Sequence, residues 1–82
     1  MNIQIKDRLR LSDKKNYLVT SKILYNNEIY YLLTEFNNFN NSKICLHTKK
    51  DTLKEINDEK IISMLIPYFT RESLNMLRED NL

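Results

Sequence analysis

The sequence predicts an α+β domain: a curved antiparallel sheet of four to five strands, small and barrel-like, followed by a kinked C-terminal helix. Three observations predict it. Short segments in which apolar and polar residues alternate run up to residue 56. Two of them, rich in aromatic and branched residues, are separated only by Asn26-Asn27, the spacing of a tight hairpin. Beyond residue 57 the apolar residues recur at helical spacing. The chain is one small domain, with a sheet region at 1–56 and a helical region at 57–80. A chain of 82 residues buries only about 60–65% of its unfolded surface, so it has room for one modest core.

In the first segment Ile3, Ile5, Leu9 and Leu11 alternate with Gln4, Lys6, Arg8 and Arg10. Asp7 interrupts the parity, so the strand either bends there or pairs fully only from Arg8 to Leu11. Ser12-Asp13-Lys14-Lys15-Asn16 is turn chemistry. The segments Tyr17–Tyr25 and Glu28–Phe36 then form the hairpin. Asparagine tolerates positive φ better than other non-glycine residues, so Asn26-Asn27 can replace Asn-Gly in a type I′ turn. A two-residue turn places Tyr17, Val19, Ser21 and Ile23 on one face with Phe36, Thr34, Leu32 and Tyr30. Leu18, Thr20, Lys22 and Leu24 then share the other with Glu35, Leu33, Tyr31 and Ile29. The first face is free of charge away from the turn and is assigned to the core.

Asn37-Asn38-Phe39-Asn40-Asn41 reads as a polar loop. Lys43–Thr48 alternates again, with Ile44 and Leu46 on one face and Cys45 and His47 on the other. A Lys49-Lys50-Asp51 turn leads to a short strand from Leu53 to Ile56. Asn57 or Asp58 caps the helix, and Glu59 complements its first turn. Ile61, Ile62, Leu65, Ile66 and Phe69 form the buried stripe, supported by Met64 and Tyr68. Pro67 has no N–H for the carbonyl of Ser63, so a kink or a restart is expected, with Thr70 capping a second segment whose apolar side is Leu74, Met76 and Leu77.

Composition excludes whole classes of function. The chain has no glycine, and phosphate-cradling loops, dinucleotide fingerprints, KH clamps and nucleophile elbows all depend on it. One cysteine and one histidine provide neither a disulfide framework nor a zinc site within the chain. A net charge of +2 with no long run of like charge is too weak for a general polyanion binder. The opening residues Met1 to Asp7 hold no apolar block of the kind a signal peptide needs, and no apolar run approaches the roughly 18 residues of a membrane span. A soluble cytoplasmic protein without cofactor or metal is expected.

The residues Asp7 to Leu11, Asn16 to Val19, Ile29 to Leu33, Ile44 to Leu46, and Ile56-Asn57-Asp58-Glu59 leading into Leu65-Ile66-Pro67-Tyr68-Phe69 make up a sequence of elements. It resembles that of the small YrzB-like domains of unknown function of Gram-positive bacteria. The resemblance implies this fold. That family has no established activity, so it implies no site.

Three groups of residues have functional readings. Cys45 and His47, two apart on a strand, are the nearest approach to a nucleophile and base, but nothing beside them orients the base or forms an oxyanion site. Ordinary strand packing is expected, and no catalytic residue. Lys6, Arg8 and Arg10, in a row with Gln4 and near Tyr17, Tyr25 or Tyr31, could offer a basic, aromatic surface to single-stranded nucleic acid. The plainer reading is a solvated strand whose charges guard an edge. Leu24, Ile29, Tyr31 and Leu33 form a face more apolar than a solvated surface needs. It is either a protein-binding or self-association patch or the inside of a sheet that curls over it. The expected function is a non-enzymatic binding or regulatory module acting on another protein through its sheet surface or an edge strand, with single-stranded nucleic-acid binding as the alternative.

Overall fold

In the computed structural model, which describes residues 2–80 and the side chains of residues 2–71, five antiparallel strands form a meander that curls into a half-barrel, followed by one helix. The strands are β1 (Arg8–Arg10), β2 (Asn16–Tyr25), β3 (Glu28–Glu35), β4 (Asn38–His47) and β5 (Leu53–Glu55), and the helix is α1 (Glu59–Asp80). They pair in chain order. Every connection within the sheet is therefore a local hairpin, the cheapest closure for a short chain.

Without glycine, the turns use other residues at positive φ. Asn26 and Asn27 lie at φ 50° and 64°, as the type I′ turn requires. The two outer hairpins share one loop geometry. Leu11 N–H bonds to the Lys15 carbonyl and Lys14 N–H to that of Leu11, while Thr48 N–H bonds to the Thr52 carbonyl and Asp51 N–H to that of Thr48. Each is a three-residue loop whose last residue, Lys14 or Asp51, is left-handed at φ 66° or 61°, where glycine is usual. The bend expected at Asp7 is a turn closed by Asp7 N–H to the Gln4 carbonyl, with Lys6 at φ 79°. It folds Ile3 back into the core and leaves β1 three residues long.

The hairpin register agrees with the sequence from Tyr25↔Glu28 to Ser21↔Leu32, and then shifts by one at Thr20, so that Val19 faces Leu33 and Tyr17 faces Glu35. This bulge corrects the predicted faces. Because one residue is inserted, Tyr17 and Val19 project from the side opposite Ser21 and Ile23. Tyr17 and Val19 join Ile3, Tyr31, Leu33 and Cys45 in the concave core, flanked by Leu9, Leu11, Ile29 and Leu53. Ile23, Tyr25, Tyr30, Leu32, Ile44 and Leu46 lie on the convex side with Leu65 and Phe69 of α1. The Thr20 hydroxyl donates to the Leu32 carbonyl at 3.1 Å, holding the bulge.

The Asn-rich segment is also corrected. Only Phe36-Asn37 turn; Asn38 opens β4 opposite Glu35, and pairing resumes at Ser42↔Thr34, so residues 39–41 form a wide irregularity. Amide side chains support it, Asn38 Oδ1 accepting from Asn40 N–H and Asn41 Nδ2 donating to Glu35.

Asp58 caps α1, its Oδ1 accepting from Lys60 N–H at 2.9 Å and Ile61 N–H at 3.4 Å. The helix does not restart at Pro67. It is one element to Asp80, with both Pro67 and Ser63, whose carbonyl loses its N–H partner, on the exposed side. The predicted buried stripe holds at Leu65 and Phe69 but not at Ile66, which is half exposed. The side chains of Leu74, Met76 and Leu77 lie outside the described residues.

Candidate interaction surface

Cys45 lies on the strand face opposite Ile44 and Leu46, and the structure puts that face in the concave core, with Cys45 2% exposed. Burial, with Glu55 nearby, pushes its thiol up to about 11, so it is protonated at neutral pH and is a poor nucleophile. His47 shares its face, yet both ring nitrogens are occupied: Nδ1 lies 2.9 Å from the Tyr31 hydroxyl and Nε2 2.7 Å from Asp51 Oδ1. Together these two contacts tie β3, β4 and the β4–β5 loop to one another. The pair packs; it is not poised for proton transfer to Cys45. Among the described residues no cluster of potential ligands could hold a metal ion, and no helix is long and apolar enough to cross a membrane.

Leu24, Ile29, Tyr31 and Leu33 do share a face, and that face is the inside of the half-barrel. Tyr31 and Leu33 are buried, Ile29 is half-buried, and only Leu24, at the open end, is exposed. Ile29, Tyr31 and Leu33 are therefore corrected from a candidate binding surface to the core and its margin, because the curled sheet closes over them, and Leu24 alone remains at the surface. The tyrosines of the nucleic-acid reading meet the same correction. Tyr17 and Tyr31 lie in the core, and Tyr25 packs its ring 5.3 Å from that of Tyr68. None is left beside the basic row as a platform for stacked bases.

Lys6, Arg8 and Arg10 are exposed, and Arg8 and Arg10 lie on one side of β1, opposite Leu9 and Leu11. The Arg8 guanidinium stacks 4.9 Å from the Phe36 ring. The backbone of β1 carries more information than its charges. Asp7 accepts from Val19 N–H at 2.9 Å and Leu11 donates to Lys15 at 3.1 Å, so with Leu9↔Tyr17 the odd residues turn their polar groups toward β2. Antiparallel alternation then sends the N–H and C=O of Arg8 and Arg10 the other way. No described strand pairs there, because β1 is an end of the sheet.

The other end, β5, bonds inward through Ile56 N–H to the Ile44 carbonyl, and the two ends converge without pairing. Between them lies a cavity of about 270 Å³ whose walls include Arg10, Leu11, Cys45, Leu53 and Glu55. One cation spans this seam. Lys43 Nζ lies 3.1 Å from Asp13 Oδ2, 2.9 Å from Glu55 Oε1 and 5.5 Å from the Tyr17 ring centre. The Tyr17 hydroxyl donates to Asp13 at 2.6 Å. That bond, the Lys15 N–H and Lys43 hold the Asp13 carboxyl down at about 2. Glu55 and Asp13 raise Lys43, and burial, with Asp13 nearby, raises Tyr17. Sequence reasoning missed this latch, since no local pattern couples Asp13 to Lys43, thirty residues away.

A second surface is the convex groove of about 440 Å³ between α1 and β3–β4, where Ile66 stands 50% exposed over Leu32 and Ile44. Its apolar floor is rimmed by Asn41, Ser42, Lys43, Glu55 and Asn57, and it carries no feature that selects an occupant. No family model, curated protein or solved structure matches the chain.

Proposed function

We propose that the protein is a small, non-enzymatic, cytoplasmic module that binds another protein through its sheet, at the open edge of β1. The supporting observation is the row of outward-turned backbone groups at Arg8 and Arg10, bordered by an unfilled, partly apolar seam. Unpaired strand edges are templates for an added strand, and domains that leave one open use it or guard it. A photo-crosslinking residue at Arg10, with others at Ile66 and Lys49 as references, tests the reading in the native cell. The expected result is a protein captured from position 10 that survives nuclease. Capture of RNA or DNA from that position would contradict it, and capture only at Ile66 would move the binding site to the groove. We propose the YrzB-like likeness on pattern alone; it contributes no site to this reading.

A further inference from the structure

Resting on the protein-binding reading above, we infer that the partner is an extended peptide in which acidic residues alternate with apolar ones, added to β1 as a sixth strand. Both halves of that pattern follow from the faces of β1. A strand laid along the open edge receives hydrogen bonds from Arg8 and Arg10 N–H and donates to their carbonyls, as in β-augmentation. Its side chains then alternate between the two faces of the sheet. On the convex side they stand beside Arg8 and Arg10, with Lys6 and Lys14 near the two ends of the strand. Among the described residues neither arginine is in a salt bridge; the acids in this stretch are engaged elsewhere, Asp7 Oδ2 accepting from Gln4 N–H and Asp13 held by Tyr17 and Lys43. Carboxylates are the complement of such a row. On the concave side the added residues meet the apolar side chains of Leu9, Leu11 and Leu53, beside the seam cavity of about 270 Å³ whose walls also carry Arg10, Ser12, Lys43 and Glu55.

The extended backbone is what separates this partner from others. A helix has no free backbone groups along its length to satisfy Arg8 and Arg10. A single-stranded nucleic acid would satisfy the guanidinium groups but would leave Leu9, Leu11 and Leu53 and the backbone edge unmatched. The charge of β1 also excludes its own kind, since two copies of β1 paired edge to edge would set arginine against arginine.

The test uses the full chain and a synthetic peptide, Glu-Ile-Glu-Val-Glu-Ile with blocked ends, followed by amide NMR. Four controls accompany it: the same residues in acidic and apolar blocks, lysine in place of glutamate, alternate N-methylation of the peptide backbone, and a thymidine oligonucleotide. The expected result is that the alternating peptide shifts the Arg8 and Arg10 amides and slows their exchange with solvent. Its affinity should fall about tenfold or more between low and high salt. Arg8→Glu with Arg10→Glu should weaken it at least about tenfold, whereas Arg8→Lys with Arg10→Lys should retain most of it. The amide spectrum of each variant reports folding independently of binding. Equal binding of the block or N-methylated peptide would overturn the inference, as would no shift at about 1 mM peptide. Shifts centred on Ile44 and Ile66 would overturn it while preserving protein binding. Tighter binding of the oligonucleotide through Arg8 and Arg10 would overturn both readings.

Discussion

The concave face of the sheet is buried by the sheet itself, whereas the convex face is buried by a helix that covers only part of it. On the inside, Tyr17, Val19, Tyr31, Leu33 and Cys45 come from three adjacent strands and are nearly free of solvent. The bulge at Thr20 produces this by redirecting the first half of β2 inward. On the outside, Leu65 and Phe69 seal the centre, while Ile66 stays half exposed beside the groove. A short sheet that curls thus gains a core without a second layer, and the helix is freed from covering everything. The unmatched part is then the edge where the curl fails to close.

The largest expected effects break this comparison directly. Leu33 and Leu65 are both fully buried, but Leu33 lies in the closed interior and Leu65 beside a groove into which neighbours can relax. Leu33→Ala should cost about 4 kcal/mol and Leu65→Ala about 2–3 kcal/mol, because a cavity that cannot collapse adds to the lost transfer energy. Urea unfolding of the two variants measures the difference, and a larger cost at Leu65 would mean that the helix, not the curl, holds the core. Next in size is the hairpin that starts the curl. Asn27→Val should destabilise by about 1–2 kcal/mol and Asn27→Gly should be neutral or stabilising, since only the second suits a residue at positive φ.

A smaller effect has the opposite sign. Ser21 follows the bulge, is fully buried on the helix-facing side, and its hydroxyl has no hydrogen-bond partner among the described residues. Removing an unsatisfied buried group relieves its desolvation cost, so Ser21→Ala should stabilise by about 1 kcal/mol in the same assay. The smallest effect appears only as a pH slope. Asp13 has its pKa lowered to about 2 on folding, so its contribution is complete above the unfolded value near 4 and is lost as pH falls through about 2. Asp13→Asn should flatten the stability profile between those values and leave its shape near neutrality unchanged.

How far the sequence could be read depends on how local each cause is. The Asn26-Asn27 turn, the alternation in β4 and the Asp58 cap are decided within a few residues, and the structure has them. The bulge is not local. Thr20 is an ordinary strand residue, and its insertion is fixed by the need of Tyr17 and Val19 to point inward against Leu33, so the continued register placed Tyr31 and Leu33 on the wrong side of the molecule. The Asn-rich stretch misled in the other direction, because amide side chains that favour loops also satisfy an irregular strand. Of the candidate site, Arg8 and Arg10 were legible as a basic row, but their value as an edge rests on which way the backbone groups point. That follows from the register with β2, which no composition or spacing within β1 contains.

Amide hydrogen exchange at residues 8–11 of the isolated protein tests most directly the central claim, that the curl of this sheet stops short of closure and leaves its β1 edge open. Leu9 and Leu11, bonded toward β2, should be protected, and Arg8 and Arg10 should exchange at rates close to those of an unfolded chain, giving alternation along four consecutive residues. Uniform protection across the four would show that the edge is already paired, and uniform fast exchange would show that β1 is not held as a strand; either would contradict the account.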